Sequence, residues 1–308
     1  MILCCGEALI DMIPAATDTG RDGFVPHSGG AVFNTAIALG RLGVPAGMLT
    51  GLSEDTFGHQ LTESLRASHV NTSLVIRSQR PTTLAFVHLL NGHATYTFFD
   101  ENSAGRMLSV EDLPEITDEV STLYFGGISL ACEPGADTYA ALLEREGANR
   151  VVMIDPNIRP GFVNDLGRYR DRLDRMIARA DIVKVSDEDV NWIIAEPLSL
   201  DEKVALILEK GPAVVILTRG SEGSMAFLPG GRSVSAPANM VEVVDTVGAG
   251  DTFNAGVLAQ LFKTGGLSKS GIRELSPEAF QEALVNGAKV SSVTVSRAGA
   301  NPPWADEI

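Results

Sequence analysis

Short apolar runs rich in β-branched residues recur along this chain, separated by stretches with helical spacing. That alternation constrains the fold more than any other feature. The runs are residues 2–3, 46–49, 123–125, 151–154, 182–185 and 214–217, most of them bounded by Gly, Asp or Pro. Between them lie helical patterns at 34–42 (stopped by Gly43 and Pro45), 55–66, 139–146, 169–180 and 200–209. In the second of these, Phe57, Leu61 and Leu65 recur at four-residue spacing, as one face of a helix requires. Strands alternating with helices predict an α/β fold around a parallel sheet covered on both faces.

The 308 residues are enough for one large domain, and 44% apolar with 20% charged residues excludes disorder as the default state. The run 213–217 is among the longest and falls far short of a bilayer span. The first eleven residues lack a basic region and carry Glu7 and Asp11 where a signal peptide would be apolar, so a cytoplasmic location is expected. Thirty-nine acidic against 24 basic residues give a net charge of −15, which disfavours nucleic acid and anionic membrane as partners. Cys4, Cys5 and Cys132 are odd in number and form no Cys-x-x-Cys pair, so neither a disulfide framework nor a zinc site is expected.

Two stretches break the rhythm. Residues 24–27 lie in a Gly-rich region, and 82–90, Asn91-Gly92 and 93–99 read as a hairpin with a tight turn. Together they predict a small second sheet, from about 12–28 and 82–104, placed as a lid over a site.

The strongest chemical signal is Asp245-Thr246-Val247-Gly248-Ala249-Gly250-Asp251-Thr252-Phe253. It follows a strand-like stretch at 240–244 and opens a helix running to about residue 262. Glycines at such a turn leave backbone N–H groups pointing outward, and the helix N-terminus adds partial positive charge, a combination that binds phosphate. Asp251, just inside, is placed to accept a proton from a substrate hydroxyl. Spacing alone leaves open that Asp251 is only a favourable charge in a first helical turn. A Walker A loop, a Gly-x-Gly-x-x-Gly opening the first helix, a His-Glu-x-x-His and a Gly-x-Ser-x-Gly elbow are all missing from the sequence.

Four further sets carry chemistry. Gly29-Gly30 followed by Asn34 suits sugar hydroxyls, with Asp11 able to chelate two of them; the alternative is a plain turn. Asp155-Pro156-Asn157-Ile158-Arg159 ends a strand, where ligand crevices form in parallel sheets, or is only a turn. Lys184-Val185-Ser186-Asp187-Glu188-Asp189 offers carboxylates to magnesium, directly or through water, or else is a helix start rich in acids. Thr218-Arg219-Gly220-Ser221-Glu222-Gly223 reads as a glycine turn over a nucleotide.

Together these segments resemble the PfkB (ribokinase-like) family of sugar kinases, over essentially the whole chain. Residues 29–51 match the family's first signature and 245–258 its second. Gly6-Glu7-Ala8-Leu9-Ile10-Asp11, 155–160 and Gly299-Ala300-Asn301-Pro302-Pro303-Trp304 look most like bacterial fructokinases. The resemblance implies a three-layer α/β/α fold in a single domain, with a small β lid, and transfer of the γ-phosphoryl group of ATP to a sugar hydroxyl. It makes Asp251 the base, with Gly248, Ala249 and Gly250 as the anion hole. Asp11, Gly29, Gly30, Asn34, Phe98, Asp100 and Arg159 would meet the sugar. Thr218, Gly220, Gly223 and Asn286 would line the nucleotide, with Asn157, Lys184 and Arg159 near its phosphates. Mg²⁺ would balance the triphosphate, Asp189 touching it through water, and a monovalent cation such as K⁺ would sit near Asp245. In many members the strand that carries the residue matching Lys184 is followed by Asn-x-x-Glu; here Ser186 and Asp189 stand in those places, with a shorter carboxylate and no amide.

For the acceptor, kinases of 2-keto-3-deoxygluconate carry a lid Arg before Ser-Ala, and here Asp100 matches that Arg, ahead of Ser103-Ala104. A carboxylate there would repel an acid sugar, so fructose, yielding fructose 6-phosphate, is expected first, although Arg106 lies nearby. The alternatives are a 2-keto-3-deoxygluconate or nucleoside kinase of the same fold, and a non-catalytic sugar-binding regulator. A homodimer through the lid is expected from the family, with Leu84, Phe86, Tyr96 and Phe98 offering apolar faces.

Overall fold

All six apolar runs become strands of one sheet. The computed structural model describes residues 1–90 and 93–308. The strands are β1 (Ile2–Cys5), β2 (Leu9–Ala16), β3 (Asp22–Gly29), β4 (Ala46–Leu49), β5 (Gly51–Ser53), β6 (Ile76–Ser78) and β7 (Leu84–Leu90). They continue as β8 (His93–Phe99), β9 (Thr122–Gly126), β10 (Val151–Asp155), β11 (Ile182–Ser186), β12 (Val214–Thr218), β13 (Ser224–Leu228) and β14 (Arg232–Ala236). The helices are α1 (Ala31–Arg41), α2 (Thr56–Ala67), α3 (Gly135–Glu146), α4 (Leu166–Arg179) and α5 (Asp187–Ile193). After them come α6 (Leu200–Leu208), α7 (Ala249–Lys263), α8 (Gly271–Glu274) and α9 (Pro277–Val295).

The main sheet has the order β14-β13-β12-β11-β10-β9-β1-β4. The strands from β4 to β12 pair in parallel, and β13 and β14 add an antiparallel edge. Successive strand residues point to opposite faces, so each run feeds two cores. Ile2, Cys4, Val151, Met153, Val214 and Ile216 pack with α1, α7 and α9. Leu3, Cys5, Val152, Ile154, Val215 and Leu217 pack with α3, α4, α5 and α6. This is why the runs are continuous rather than alternating: both faces are covered, and the architecture is α/β/α. Cys4, Cys5 and Cys132 are buried free thiols, two of them core residues of β1.

Asp55 caps α2, accepting the Gly58 N–H at 2.8 Å, and its carboxylate also holds Thr82 at the approach to β7. The smaller sheet has the order β3-β2-β7-β8 and begins at Leu9, earlier than the sequence suggested. The proposed Asn91-Gly92 turn lies outside the described residues. In this sheet Asp11, Ala85 and Phe98 are in register across β2, β7 and β8, so they share a face. Leu84 and Phe86 are on the other face, with Phe99 opposite Leu84. The apolar faces expected of Leu84, Phe86, Tyr96 and Phe98 are therefore two faces, not one.

One element differs from its sequence reading. The stretch before the glycine turn, 240–244, is not a strand. Its C-terminal end is held to α9, where Val244 and Asp245 donate to the Val295 carbonyl. Met240 is 91% exposed, and Val241, Val243 and Val244 are exposed as well. β-branched composition makes a strand only where a partner edge is free to pair with it. Among the described residues no helix is long and apolar enough to cross a membrane.

Candidate active site

The parallel strands end on one side of the sheet, and the loops leaving β1, β9 and β10, with Lys184 of β11, help to enclose a cleft of about 380 Å³. Asp11, Tyr96 and Phe98 of the smaller sheet line it as well. A second groove of about 430 Å³ lies beside β12 and α9. The two share Thr246, Ala249 and Gly250, the turn that opens α7.

That turn is built by Gly248, whose φ of +79° is left-handed and caps α7. A Cβ there would also press on Ala300, at 2.8 Å. The first N–H groups of a helix have no intrahelical acceptor, so this end of α7 faces both cavities with unpaired donors. Ala249 is a partial exception, because its N–H reaches the Thr246 carbonyl at 3.3 Å.

Asp251 sits on the cleft side, 8% exposed. Its carboxyl is pushed up to about 7, mainly by burial. The Asn34 amide and Lys184 oppose the rise; the carboxylates of Asp155 and Glu7 add to it. A base poised near neutrality suits proton abstraction from a hydroxyl. Asn34 donates its Nδ2 to Asp251 Oδ2 at 2.9 Å, and Thr35 Oγ1 donates to the Asp251 carbonyl at 3.1 Å. Asn34, expected to meet sugar, thus holds Asp251 and is not among the residues facing the cleft. Removing the amide leaves ionised Asp251 without a donor. Asn34→Ala is therefore expected to move the acid limb of kcat/KM to higher pH and to lower kcat about tenfold. A pH–rate profile checks it.

Beneath Asp251 lies a buried polar network. Lys184 Nζ is 3.1 Å from Asp155 Oδ2, and Asn254 Nδ2 donates to that oxygen at 2.7 Å and to the Tyr124 hydroxyl at 3.0 Å. Burial opposes the charge on Lys184, but the carboxylates of Asp155, Asp189 and Asp251 outweigh it and raise its pKa, so Lys184 stays protonated. Lys184 is close under the anion turn, since a Cβ on Gly250 would lie 3.4 Å from Nζ.

Asp11 lines the cleft, and burial lifts its carboxyl to about 6. Gly29, opposite Leu9 in the sheet, does not line it; a Cβ there would overlap Asp11 Oδ2, so Gly29 gives Asp11 its seat. Gly30, Phe98, Asn157 and Arg159 do line the cleft. Phe98 meets Phe162 edge-on, with centroids 4.4 Å apart. Thr218, Gly220 and Gly223 line the second groove.

Three further assignments change, those of Asp100, Asn286 and Asp189. Asp100 does not line the cleft: both its oxygens go to Arg106 Nη1, at 2.8 and 2.9 Å, and the pair is largely buried. The repulsion argument against acid sugars therefore fails at Asp100, because its charge is neutralised by the residue six positions on. Asn286 is spent between helices, donating to the Gly256 carbonyl at 2.7 Å; Ala288, Ser291 and Val295 of α9 line the groove instead. Asp189 is buried in a capping box, with Oδ2 accepting from the Ser186 N–H and hydroxyl and Oδ1 accepting the Ile158 N–H at 2.8 Å. That carboxylate fixes the loop carrying Asn157 and Arg159 and is not directed at a metal. Asp245 accepts the Val247 and Gly299 N–H groups, one on each oxygen, and ties the glycine turn to the C-terminal loop.

Sequence reasoning missed Glu7, Tyr96, Phe162 and Thr246 as cleft residues and Met240, Val243, Phe253 and Val295 as groove residues. For the groove the sequence showed only an apolar run at 240–244; its exposure beside a cavity is visible only in the structure.

These features have close parallels. A fructokinase of Rhizobium leguminosarum bv. trifolii is 50% identical over 281 residues, covering 91% of this chain and 86% of the relative. A fructokinase of Klebsiella pneumoniae is 32% identical over 98% of this chain and 96% of its own length. The structure of a fructokinase from Xylella fastidiosa with bound ATP superposes with a TM-score of 0.88 at 25% identity, covering 97% of this chain and 93% of that one. Residues 1–307 match the pfkB family carbohydrate kinase description. The chain belongs to the PfkB family of carbohydrate kinases.

Proposed function

We propose that this chain transfers the γ-phosphoryl group of ATP to fructose, yielding fructose 6-phosphate. Family membership makes it an ATP-dependent sugar kinase. The observation that carries the reading is the junction of the two cavities at Thr246, Ala249 and Gly250, with Asp251 on one side of it. The base and ribose would lie in the apolar groove between Gly220, Gly223 and the Met240–Val243 wall. The phosphates would run to the α7 N-terminus, where Gly248, Gly250, Lys184, Asn157 and Arg159 meet them. The sugar would lie under Asp11 and Phe98. Asp251 would take the proton of the attacking hydroxyl as the N–H groups of the turn stabilise the transferring oxygens. Such transfer asks for positioning and charge stabilisation, which these residues supply.

A bound Mg²⁺ would neutralise triphosphate charge. Among the described residues no three His, Cys, Asp or Glu side chains converge as ion ligands, so the donor set fits an ion carried by the triphosphate and water. Asp245, with an N–H on each oxygen, keeps lone pairs free toward a monovalent cation in the turn it braces. The ATP seen in the Xylella fastidiosa enzyme and the fructokinase relatives support the donor and the acceptor.

Fructose is favoured over an acid sugar by Asp11, whose carboxylate lies in the cleft and would repel another. Arg159, exposed at the rim, favours the second reading, 2-keto-3-deoxygluconate. A homodimer through the lid is part of the proposal: Phe24, Phe86 and Phe99 form an edge-to-face row, with Phe99 55% exposed. The whole chain would act as one kinase domain under its lid. The test is turnover with MgATP against fructose, glucose, ribose, 2-keto-3-deoxygluconate and adenosine. Fructose is expected to give the highest kcat/KM. A preference for the acid sugar would keep the chemistry and transfer specificity to Arg159, and turnover of none would favour a sugar-binding regulator.

A further inference from the structure

The segment between β1 and β2 brings two carboxylates to the cleft, and the transfer account uses only Asp11. Glu7 also lines the cleft, and its two oxygens reach two different walls. Oε1 accepts the Ala31 N–H at 3.1 Å, at the start of α1 and beside Gly30. Oε2 accepts the Ser129 N–H at 3.2 Å, in the turn after β9. Gly30, Ala31, Gly127 and Ile128 line the cleft from those walls. The backbone around the carboxylate is shaped to admit it. Gly127 has a φ of +66°, and a Cβ there would overlap Glu7 Oε1; a Cβ on Gly30 would meet Glu7 Cγ at 3.2 Å. A carboxylate with a backbone donor on each oxygen makes two charge-assisted bonds and acts as a short, stiff spacer.

We propose that Glu7 is a positioning residue of the acceptor site: it ties the Gly30–Ala31 wall to the Gly127–Ser129 wall and so sets the fit of the sugar. The inference rests on the proposed reading of this cleft as the sugar site. A second consequence follows from charge. Asp251 is faced by Asn34 from α1, Asp155 from β10, Lys184 from β11 and Glu7, and the negative charge of Glu7 raises its proton affinity. Burial pushes the Glu7 carboxyl itself up, while the Ala31 and Ser129 N–H groups draw it back toward the ionised form.

Glu7→Gln keeps the shape but replaces one acceptor with a donor that faces an N–H. The variant is expected to raise the KM for fructose at least about tenfold. The KM for ATP should stay within about twofold. With the charge gone, the acid limb of kcat/KM should move to lower pH. Gly127→Ala displaces the carboxylate without removing it, so it should raise the same KM, and the two substitutions together should fall short of additivity. An unchanged KM for fructose would overturn the assignment. So would a parallel rise in both KM values with a lowered Tm, which is how general structural damage would look. Wild-type turnover of fructose, run alongside, carries the acceptor reading, and the ratio of variant to wild type carries Glu7.

Discussion

Asp251→Asn is expected to cut kcat about 10³-fold while leaving ATP affinity within about twofold. The carboxamide fits the same space and keeps an oxygen for the Asn34 amide, 2.9 Å away. It cannot take a proton at this pH. The second groove, proposed for the nucleotide, is lined by Gly250 and Phe253 on either side of this residue and not by Asp251, so donor binding is expected to stay unchanged. The pH dependence gives the same residue a second test. Burial raises the Asp251 carboxyl to about 7, so the base is charged above that pH and protonated below it. Wild-type kcat/KM should therefore rise with pH through about 7, and the variant's residual rate should lack that limb. Loss of less than tenfold in kcat would remove Asp251 from the chemistry.

Lys184→Met should produce the second large effect, and on two quantities at once. Lys184 is 5% exposed, and its ammonium faces Asp155 at 3.1 Å beneath the anion turn. Methionine fills the volume but leaves Asp155 buried without its cation. Breaking a buried pair in this way costs about 3–5 kcal/mol. For a chain of this size that lowers Tm by roughly 5–10 °C. The cation near the transferring phosphate is also lost, and kcat/KM for ATP should drop about 10²-fold. A melting curve and steady-state kinetics read the two effects separately. An unchanged kcat/KM alongside a lower Tm would make Lys184 a structural residue only.

The main sheet was legible because its runs serve two cores, which forces continuous apolar sequence. Residues 240–244 carry the same composition for another reason: Met240, Val241 and Val243 wall a groove and pair with no strand. The anion turn was legible because Gly248 needs a left-handed backbone, which leaves its mark in the sequence. Partners brought together by the fold were not legible. For Asp100 the sequence showed Arg106 nearby, but no spacing rule states that the two pair and turn Asp100 away from the cleft. Asn286 faces Gly256 across two packed helices. Asp189 was readable in part: Ser186 three residues earlier is a capping-box spacing, and that local bond outcompeted a metal role. Glu7 was quoted in a motif without a role, since its two partners lie 24 and 122 residues away.

Transfer of label from γ-labelled ATP to fructose, by the wild type and Asp251→Asn side by side with magnesium present, tests the central claim most directly. Rapid appearance of labelled fructose phosphate with the wild type, and almost none with the variant, is the predicted result. Equal transfer by both proteins, or binding of ATP and fructose by the wild type without transfer, would contradict it.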